Sequence, residues 1–554
     1  MSLPSAEQYQ QAFQLPLSKL FNDPQLQSGN VEMNGMGLPR TRAGNFALTY
    51  EVHTSSKKFA VRCFHKNSNN LALRYAAISK KLSTLNSGYF VYFDYLTNGV
   101  LIEGKSYPLV KMGWAEGETL AEFLVKNFNV PHKISKLRES LAKMGSYLES
   151  QQISHGDLQP GNVMVSQSGV SIQLIDYDGM FVPEIKAMEA SEIGHRNFQH
   201  PKRSSKNFNE RIDYFSLITL ELSLRALEID PSIWDATKSD EEGVVFRAND
   251  FADPENSTAF RLVSKLQGLN LFTKNFAAIC KSDVTNVPTV SDFILGKNIP
   301  LVNINISEIK IGSTQFKQKY ISSYPVINIT NYDMCVANVG NRVELIGMVN
   351  EIQKGTTQYG KNGKRNRPYI FINFGNKKTG QLVRIKIWSE GLDNLQSNKN
   401  SVPTSDWVNT WITVTAVIEP EYRSKKYGYS DVSVIVDNIG QMRQITEVEA
   451  QYRLGATSNN SKIVQAISPS QSAIPPNQPA VSNNQKIIQN MTGGKAMPPS
   501  SNKNLGSQTP KPPYTSNANR PAHQNHKTPS KGSSSSSIWY WVIGIIVCLL
   551  IFKK

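Results

Sequence analysis

Apolar positions recur with two different periods along this chain, and the change of period divides it. In the N-terminal part, alternating apolar segments are interspersed with segments of helical spacing, for example residues 58–64 and then 71–82. Further on, nearly every apolar run is short, alternating and rich in β-branched residues, which is typical of strands. The pattern therefore predicts a mixed α+β domain over residues 35–297, a connector over 300–325 and an all-β domain over 325–453.

The all-β part of the pattern consists of five alternating segments separated by breaks rich in Gly, Asn and Lys. Five short strands in a domain of this size resemble an OB-fold barrel, and the resemblance rests on the pattern rather than on a motif. OB folds grip their ligands through two of their loops, so the corresponding loops become candidate contacts. The predicted strands are residues 343–352, 368–374, 382–388, 411–419 and 430–439.

The C-terminal part of the chain changes character twice. Residues 455–537 are rich in Ser, Asn, Gln and Pro, contain no carboxylates and lack apolar periodicity, which predicts a disordered linker. Residues 538–552 are uninterrupted by charge, and as a helix they would span about 22 Å of the roughly 30 Å bilayer core. Trp539 and Trp541 can lie in the headgroup zone. This segment predicts a single transmembrane helix that acts as a tail anchor, with the bulk of the chain cytoplasmic.

Composition narrows the classes of partner and site. The formal net charge is +16, which favours nucleic acid, an anionic membrane or phosphate-rich ligands as partners. The four cysteines are far apart and show no CxxC spacing, so neither a disulfide framework nor a zinc site is expected. Such cysteine usage is typical of a reducing compartment.

Three oxygen-bearing side chains in the first domain have the spacing of a phosphotransfer site. Asp157 and Asn162 are five positions apart in the segment SHGDLQPGNVMV, and Asp176 follows fourteen positions later at the end of a predicted strand. Phosphoryl transfer depends mainly on positioning and charge neutralisation, which ligands on two loops can provide. Asp157 would accept the proton of an attacking hydroxyl. Asn162 and Asp176 would hold Mg²⁺ (or Mn²⁺) against the phosphates of ATP.

The motifs around these residues resemble those of protein kinases. Residues 155–162, HGDLQPGN, resemble the catalytic loop HRDLKPxN, and residues 176–179, DYDG, resemble the DFG stretch with one residue altered. The segments LIDYDGMFVP and GHRNFQHP resemble, more specifically, a group of bacterial protein-kinase-like proteins that often carry an appended nucleic-acid-binding module. The resemblance extends over residues 35–297. It implies a bilobal kinase fold, transfer of phosphate from ATP to Ser or Thr of a protein substrate, and the bacterial inner membrane as the location.

Further positions match kinase landmarks in order, and the resemblance assigns roles to them. The contacts that it implies for ATP are Gly44, Arg62, Lys111 and Met112. The residues that it implies as supports of the catalytic loop are His155 and Asp213. Candidate autophosphorylation sites in or near the activation segment are Ser191, Ser204 and Ser205.

Several positions depart from the kinase pattern. Arg62 stands where kinases have a lysine, so a cation is kept but its geometry is not. No carboxylate occurs between Glu51 and Asp94, so the usual lysine–glutamate pair cannot form within that segment. Gly156 replaces the arginine that reads a phosphorylated activation segment, so switching through that arginine is not expected. Three hypotheses follow: an active protein kinase, a pseudokinase scaffold that binds ATP without phosphotransfer, and a small-molecule kinase, whose loop also has the form HGDxxxxN.

Basic and aromatic residues are concentrated in two loops and one strand of the all-β domain. Lysine and arginine can follow a phosphate backbone while tyrosine rings stack on bases, which is typical of single-strand binding. The hypothesis is that this domain binds single-stranded nucleic acid, and the alternatives are a protein, a lipid headgroup or a structural role. The candidate contacts are Lys361, Lys364, Arg365, Arg367, Arg384, Lys386, Lys425, Lys426 and Tyr427.

Overall fold

The structure is a computed structural model that describes residues 3–33, 38–43, 46–66, 70–306, 319–359, 365–376, 380–396, 402–423 and 428–455. These residues form a mixed α+β structure with several sheets. No helix among them has both the length and the apolar character needed to cross a bilayer. The expected tail anchor, and all but the first residue of the expected linker, lie outside the described residues.

Most of the α-helices lie before residue 296, and several begin at a side-chain cap. Ser5, Thr119 and Ser257 each accept a hydrogen bond from the backbone of the first helical turn. The described α-helices are α1 (Ala6–Ala12), α2 (Leu17–Leu20), α3 (Pro24–Gln27), α4 (Leu71–Thr84), α5 (Leu120–Asn127), α6 (Pro131–Ser150), α7 (Tyr214–Ile229), α8 (Ile233–Ala236), α9 (Ala248–Ala252), α10 (Thr258–Ser264), α11 (Asn270–Lys281), α12 (Val290–Leu295), α13 (Tyr332–Ala337), α14 (Ser389–Leu395) and α15 (Glu447–Leu454).

The strands of the described chain form four sheets. The strands are β1 (Asn30–Val31), β2 (Thr41–Ala43), β3 (Ala47–His53), β4 (Lys58–Phe64), β5 (Phe93–Ile102), β6 (Lys105–Gly113), β7 (Glu118–Thr119), β8 (Val163–Val165), β9 (Ile172–Leu174), β10 (Val326–Asn328), β11 (Arg342–Met348), β12 (Glu351–Tyr359), β13 (Arg365–Asn376), β14 (Gln381–Ile387), β15 (Trp411–Val417), β16 (Tyr422–Arg423), β17 (Ser430–Ile435) and β18 (Met442–Ile445). Their orders are β1-β3-β4-β6-β5 with β2 beside β3, β7-β8-β9, β10-β11-β15-β18 and β12-β13-β14-β17-β16.

The first sheet has an apolar layer on each face because its strands alternate. On one face, Ala60 and Phe64 of β4 belong to the same core as Tyr75 of α4. On the other face, Val61 belongs to a core that includes side chains from α1, α2 and α3. Arg62 alternates with Val61 and therefore lies on the α4 face.

The helices from α5 to α12 share the larger core with the α4 face of the first sheet. Helix α7 is central to it, since nearly all residues from Tyr214 to Leu227 are buried. In the hairpin of β8 and β9, Val163 pairs with Leu174, so the loop that enters β8 and the loop that leaves β9 lie at the same end. This hairpin brings together the two loops that carry the predicted catalytic and metal-binding residues.

We call residues 3–306 the N-terminal region and residues 319–455 the β-rich region, which has a separate apolar core and two sheets. The segment 343–352, expected to be one strand, divides at Val349 and Asn350 into β11 and β12, which belong to different sheets. Strand β11 pairs with β15, and β12 pairs with β13. The other four expected segments each contain one strand, and the short strands β10, β16 and β18 are additional.

A network of charged side chains joins the two regions. Asp240 of the N-terminal region lies 2.7 Å from Arg247 in the same region and 3.3 Å from Arg443 of β18. Lys238 reaches Glu449 of α15 at 3.2 Å, and Glu449 also contacts Arg443 at 2.9 Å. The carboxylates of both regions are thus shared between cations of both regions.

Candidate functional site

The hairpin of β8 and β9 brings three of the predicted site residues to one end of the small sheet. Asn162 directly precedes β8, and Asp176 follows shortly after β9. The backbone N–H of Ile175 donates to the carbonyl of Asn162 at 3.0 Å, which fixes the two loops to each other. The fourteen positions between Asn162 and Asp176 are therefore occupied by a hairpin, in which the chain leaves the site along β8 and returns to it along β9.

The Asp157 carboxylate accepts three hydrogen bonds from the chain itself. Its Oδ1 accepts from the backbone N–H of His195 at 2.7 Å. Its Oδ2 accepts from the side-chain amides of Gln159 at 2.7 Å and Asn162 at 3.0 Å. An ionised carboxylate has about four acceptor positions. One position, on Oδ1, therefore remains for a further donor such as a hydroxyl.

Asp213 holds the backbone of the loop that carries Asp157. Its carboxylate accepts from the backbone N–H groups of His155 and Gly156, and the second of these bonds is 2.9 Å long. Burial raises the pKa of Asp213, and the charge of His155 and these two hydrogen bonds act against that rise. The His155 ring donates from Nε2 to the carbonyl of Ile175 at 2.8 Å. His155 and Asp213, both expected to support this loop, contact its backbone or the strand end beside it.

Gly156 has a backbone conformation that favours glycine. Its φ is +82°, and a Cβ there would lie 1.9 Å from the carbonyl oxygen of Gly179. A side chain at this position would therefore separate the two loops. Arg203, from another segment, donates from Nη1 to the Gly156 carbonyl at 2.8 Å, so a guanidinium lies beside the loop although the loop carries none.

Arg62 forms a buried double ion pair. Its Nη1 lies 2.6 Å from Oδ1 of Asp176, and its Nη2 lies 2.6 Å from Oδ2 of Asp178. The hydroxyl of Tyr75, on α4, donates to the other oxygen of Asp178. Burial acts to lower the pKa of Arg62, but Asp176 and Asp178 raise it well above its usual value. The guanidinium therefore stays charged, and α4 is linked to it through Tyr75.

Asp178 and Tyr75 are site residues that the sequence did not single out. The sequence offered no carboxylate near Arg62, and the structure supplies two from positions 114 and 116 residues further along the chain. The sequence does contain Asp178, as the second aspartate of the segment DYDG, but the kinase motif assigns a role only to the first, Asp176. The missing local pair is thus replaced by a long-range one.

Asp176 has an unusual backbone conformation. Its φ of +64° and ψ of +76° lie in the left-handed region, which few residues other than glycine adopt. Such conformations persist where surrounding contacts fix them, and they are concentrated at functional sites. The Asp176 side chain is 47% exposed whereas that of Arg62 is 6% exposed. Asp176 can therefore offer an oxygen outward from the buried ion pair.

Glu192 is a further carboxyl group at the site that the sequence did not indicate. Burial raises its pKa well above its usual value, and the charges of Asp157, Asp178 and Asp176 raise it further. This rise in pKa favours the protonated form of Glu192, which limits the repulsion among these acids. The adjacent Ser191 donates from its hydroxyl to the carbonyl of Asp178 at 2.7 Å and fixes this segment beside the site.

Lys111, expected to contact ATP, has its side chain on the face of the first sheet opposite to that of Arg62. Its Nζ donates to Asp23 at 2.8 Å and to Gln25 at 2.9 Å, on the side covered by the N-terminal helices. Side chains alternate along β6, and Lys111 pairs with a residue adjacent to Arg62 rather than with Arg62 itself. The structure therefore does not bring the Lys111 side chain to the site.

Of the other expected ATP and metal contacts, some are described by the structure and one is not. Met112 is buried on the α4 face, whereas Gly44 lies outside the described residues. Asn162 donates through Nδ2 to Asp157, which leaves its amide oxygen as an acceptor. In the described part of the chain, no cluster of three or more His, Cys, Asp or Glu is arranged as a metal site. A cation here would take Asn162, Asp176 and oxygens of a bound phosphate as ligands, a set that suits Mg²⁺.

Arg384, a candidate nucleic-acid contact, is buried rather than exposed. Its Nη1 lies 2.8 Å from Oδ2 of Asp431, and its Nε donates to the side chain of Asn373 at 2.9 Å. The expected alternation along β14 holds, since Val383 and Ile385 lie in the core. The opposite face, however, is covered, because Arg384 has partners on both neighbouring strands.

Two other candidate cations, Lys386 and Arg367, also contact carboxylates. Lys386 lies 3.3 Å from Glu419, and Arg367 contacts Glu390. Much of the expected first loop is strand, since it lies in the hairpin of β12 and β13, and Arg365 is the first residue of β13. The candidates outside the described residues are Lys361, Lys364, Lys425, Lys426 and Tyr427.

Three aromatic rings that the sequence did not single out pack against one another, and one of them lies beside Arg384. The ring centroids of Tyr369 and Phe371 are 4.4 Å apart, and those of Phe371 and Trp388 are 5.2 Å apart. The guanidinium carbon of Arg384 lies 5.2 Å from the Phe371 centroid. All three rings are only partly buried, so the cluster offers flat apolar surface to a ligand.

No protein-family model and no curated protein matches this chain. Its function is therefore inferred from its own residues and their contacts.

Proposed function

We propose that the N-terminal region is an ATP-dependent phosphotransferase with the bilobal fold of a protein kinase, acting on Ser or Thr hydroxyls of a protein. The first sheet and α4 would form the smaller lobe, and α5 to α12 the larger one. The observation that carries the proposal is the convergence of Asp157, Asn162 and Asp176 beside the ion-paired Arg62. A fixed cation next to a metal-binding carboxylate suits the binding of phosphates.

In the proposed reaction, Asp157 orients the attacking hydroxyl through the remaining acceptor position on Oδ1. The hydroxyl oxygen bonds to the γ-phosphorus of ATP while the bond to the bridging oxygen breaks and ADP leaves. The hydroxyl proton passes to Asp157 and then to solvent. Mg²⁺, held by Asn162 and Asp176, would neutralise phosphate charge when bound. Arg62, oriented by Asp178, adds a fixed positive charge.

A second candidate function is a scaffold that binds ATP without transferring phosphate. Two observations favour it: Arg62 is engaged by two carboxylates, and Asp157 already accepts three hydrogen bonds. A phosphate would have to compete with Asp176 for the guanidinium. The two functions differ in one observable, the appearance of phosphate on a protein hydroxyl.

The test is incubation of the full chain in detergent micelles with γ-labelled ATP and Mg²⁺ or Mn²⁺. Wild type should transfer label to Ser or Thr, with the sites mapped by mass spectrometry. Asp157→Ala should lower transfer by at least about a hundredfold, because it removes the proton acceptor. The matched control is Asp235→Ala, an exposed aspartate of α8 in the same region.

Two outcomes would contradict this assignment in different ways. Equal labelling of wild type and Asp157→Ala would show that another group accepts the proton. No labelling of either protein, together with a nucleotide-dependent rise in melting temperature, would favour the scaffold.

We also propose that the β-rich region is an OB-like barrel that binds single-stranded nucleic acid and that residues 538–552 tether the protein to a membrane. The partly exposed rings of Tyr369, Phe371 and Trp388 support base stacking. Since Arg367, Arg384 and Lys386 contact carboxylates, phosphate contacts would come chiefly from the lysines of the two candidate loops.

Fluorescence anisotropy of a labelled single-stranded oligonucleotide at low salt tests the second proposal. Trp388→Ala should weaken binding by about 1–3 kcal/mol, the usual contribution of one stacked base. Tyr92→Ala is the control, since this tyrosine is 55% exposed in the other region. Absence of binding by wild type at low salt, where phosphate contacts are strongest, would contradict the proposal.

A further inference from the structure

The described end of the connector, residues 319–325, leads into β10 and lies against the segment around His195, which donates a hydrogen bond to Asp157. The hydroxyl oxygen of Ser323 accepts a hydrogen bond from the backbone N–H of Arg196 at 2.9 Å. The ring of Tyr324 meets the ring of His195 edge to face, with centroids 5.8 Å apart. The backbone N–H of His195 is one of the donors to Asp157. The connector thus contacts the same residue that contacts the proposed catalytic carboxylate.

Arg342, the first residue of β11, extends this contact. Its guanidinium carbon lies 5.4 Å from the centroid of the Tyr324 ring. Its Nε is buried and has no hydrogen-bond partner among the described residues. Tyr324, and after it Glu242 and Asp157, raise the pKa of Arg342 against the opposing effect of burial. Arg342 is therefore within electrostatic reach of the Asp157 carboxylate.

The same end of the β-rich region also reaches the first sheet. Lys66, just beyond the end of β4, donates from Nζ to the carbonyl of Gly340 at 3.1 Å and to Oδ1 of Asn341 at 2.7 Å. Asn341 directly precedes Arg342 in the chain. One short stretch of the β-rich region therefore contacts both the end of the strand that carries Arg62 and the surroundings of Asp157.

The His195 segment is anchored on its other side by Glu242. Nε2 of His195 lies 2.7 Å from Oε2 of Glu242, and the carbonyl of Glu242 accepts from Asn197 at 2.7 Å. Burial acts to raise the pKa of Glu242, but the hydrogen bond and charge of His195 lower it to about 2. Glu242 therefore stays charged, and the segment is fixed between Glu242 and Tyr324.

We propose that Ser323, Tyr324 and Arg342 cover the approach of a polypeptide hydroxyl to Asp157, so that the docked β-rich region inhibits phosphotransfer to proteins. This inference rests on the phosphotransfer function of the N-terminal region. The hydroxyl must reach Oδ1 of Asp157, the oxygen that already accepts from His195. Tyr324 packs on the ring of His195 and Arg342 packs on the ring of Tyr324, so that both would occupy space that an acceptor polypeptide needs. A ligand could bind the β-rich region more tightly when that region is separated from the His195 segment. Such a ligand would shift the population toward the form in which Asp157 is accessible.

The test compares wild type with Tyr324→Ala and Arg342→Ala in the full chain. Phosphotransfer is measured with γ-labelled ATP and dephosphorylated casein as acceptor, and docking is measured separately by hydrogen exchange of the amides of residues 192–197. Both variants should exchange faster in this segment and label casein at least about fivefold faster. Tyr422→Ala is the control, since this tyrosine is 57% exposed in β16, and it should behave as wild type.

The outcomes separate the inhibition from the phosphotransfer function. Faster exchange with unchanged or slower labelling would overturn inhibition by docking and leave the phosphotransfer function intact. Unchanged exchange in both folded variants would overturn the contact itself. No label in wild type or in any variant would contradict phosphotransfer and, with it, the inhibition. If the larger substitutions do not fold, Ser323→Ala should shift both readouts in the same direction by a smaller factor.

Discussion

Charged side chains are arranged differently in the two regions of the molecule. In the N-terminal region, the guanidinium of Arg62 contacts Asp176 and Asp178, and these two acids lie near further carboxyl groups, so that acids outnumber this cation. The members of this acidic cluster are Asp157, Asp176, Asp178 and Glu192. Burying several carboxyl groups together costs stability unless cations or protons compensate. This excess of carboxyl groups over cations favours the binding of a further cation.

In the β-rich region, three candidate cations, Arg367, Arg384 and Lys386, each pair with a carboxylate. Arg384 meets Asp431, and Lys386 meets Glu419. Balanced pairs of this kind satisfy charge and geometry within the fold and need no ligand. The comparison teaches that basic residues counted in a sequence can be paired within the fold, so a basic composition does not by itself identify a ligand site.

The largest expected effect is that of Arg62→Met, which removes the guanidinium from the acidic cluster. Asp176 and Asp178 would lose their partner, which should lower the free energy of unfolding by about 3–5 kcal/mol. Urea denaturation measures this loss, and Arg62→Lys is the matched control because it keeps the charge. A loss below about 1 kcal/mol for Arg62→Met would show that the cluster does not depend on this cation.

The balanced pair in the β-rich region should respond differently to double replacement. Arg384→Met leaves Asp431, which is 1% exposed, without its cation and should cost about 3 kcal/mol. Adding Asp431→Leu should recover most of that loss, because an apolar pair can replace a structural ion pair. A double variant as unstable as the single one, by urea denaturation, would mean that the pair does more than balance charge.

Acid should weaken the charged network between the regions. Burial acts to raise the pKa of Glu449, but Arg443 and Arg453 lower it to about 2. A carboxyl group whose pKa is depressed by folding contributes stability above its unfolded pKa, and this contribution is lost as pH falls through the folded pKa. The loss should therefore occur between about pH 4.5 and pH 2 and amount to ~2 kcal/mol after solvent screening.

Thermal melting across that pH range measures the loss. Glu449→Gln is the matched variant, and it should have lower stability at pH 7 and a flatter pH dependence. An equal pH dependence in wild type and Glu449→Gln would assign the acid sensitivity to other carboxyl groups.

The smallest expected effect is that of Lys386→Ala. Its pair with Glu419 is 3.3 Å long and partly exposed, so the free energy of unfolding should change by less than about 1 kcal/mol. Urea denaturation measures the change, with wild type as reference. A loss comparable to that of Arg384→Met would show that exposure does not distinguish the two pairs.

Local structure could be predicted from the sequence because it depends on local periodicity. The expected strand at 58–64 and helix at 71–82 correspond to β4 and α4. The spacing of Asp157, Asn162 and Asp176 could be interpreted because a single hairpin joins their loops. Elements and motifs of this kind require no knowledge of distant pairing.

Long-range pairing could not be predicted from the same sequence. The partners of Arg62 lie 114 and 116 positions away, and no local pattern relates them. Alternation placed Arg384 on the correct face of β14, but it could not show that Asn373 and Asp431 bury that face. Likewise, the contact between Tyr324 and His195 depends on how the two regions pack.

The central claim is that the acidic cluster around Arg62 binds ATP together with a divalent cation. Isothermal titration of the full chain with ATP, in the presence and absence of Mg²⁺, tests it most directly in wild type and Asp176→Asn. We predict that Mg²⁺ tightens ATP binding to wild type by at least about tenfold and that Asp176→Asn loses this difference. Equal binding with and without Mg²⁺ in wild type, or no binding at all, would contradict the claim.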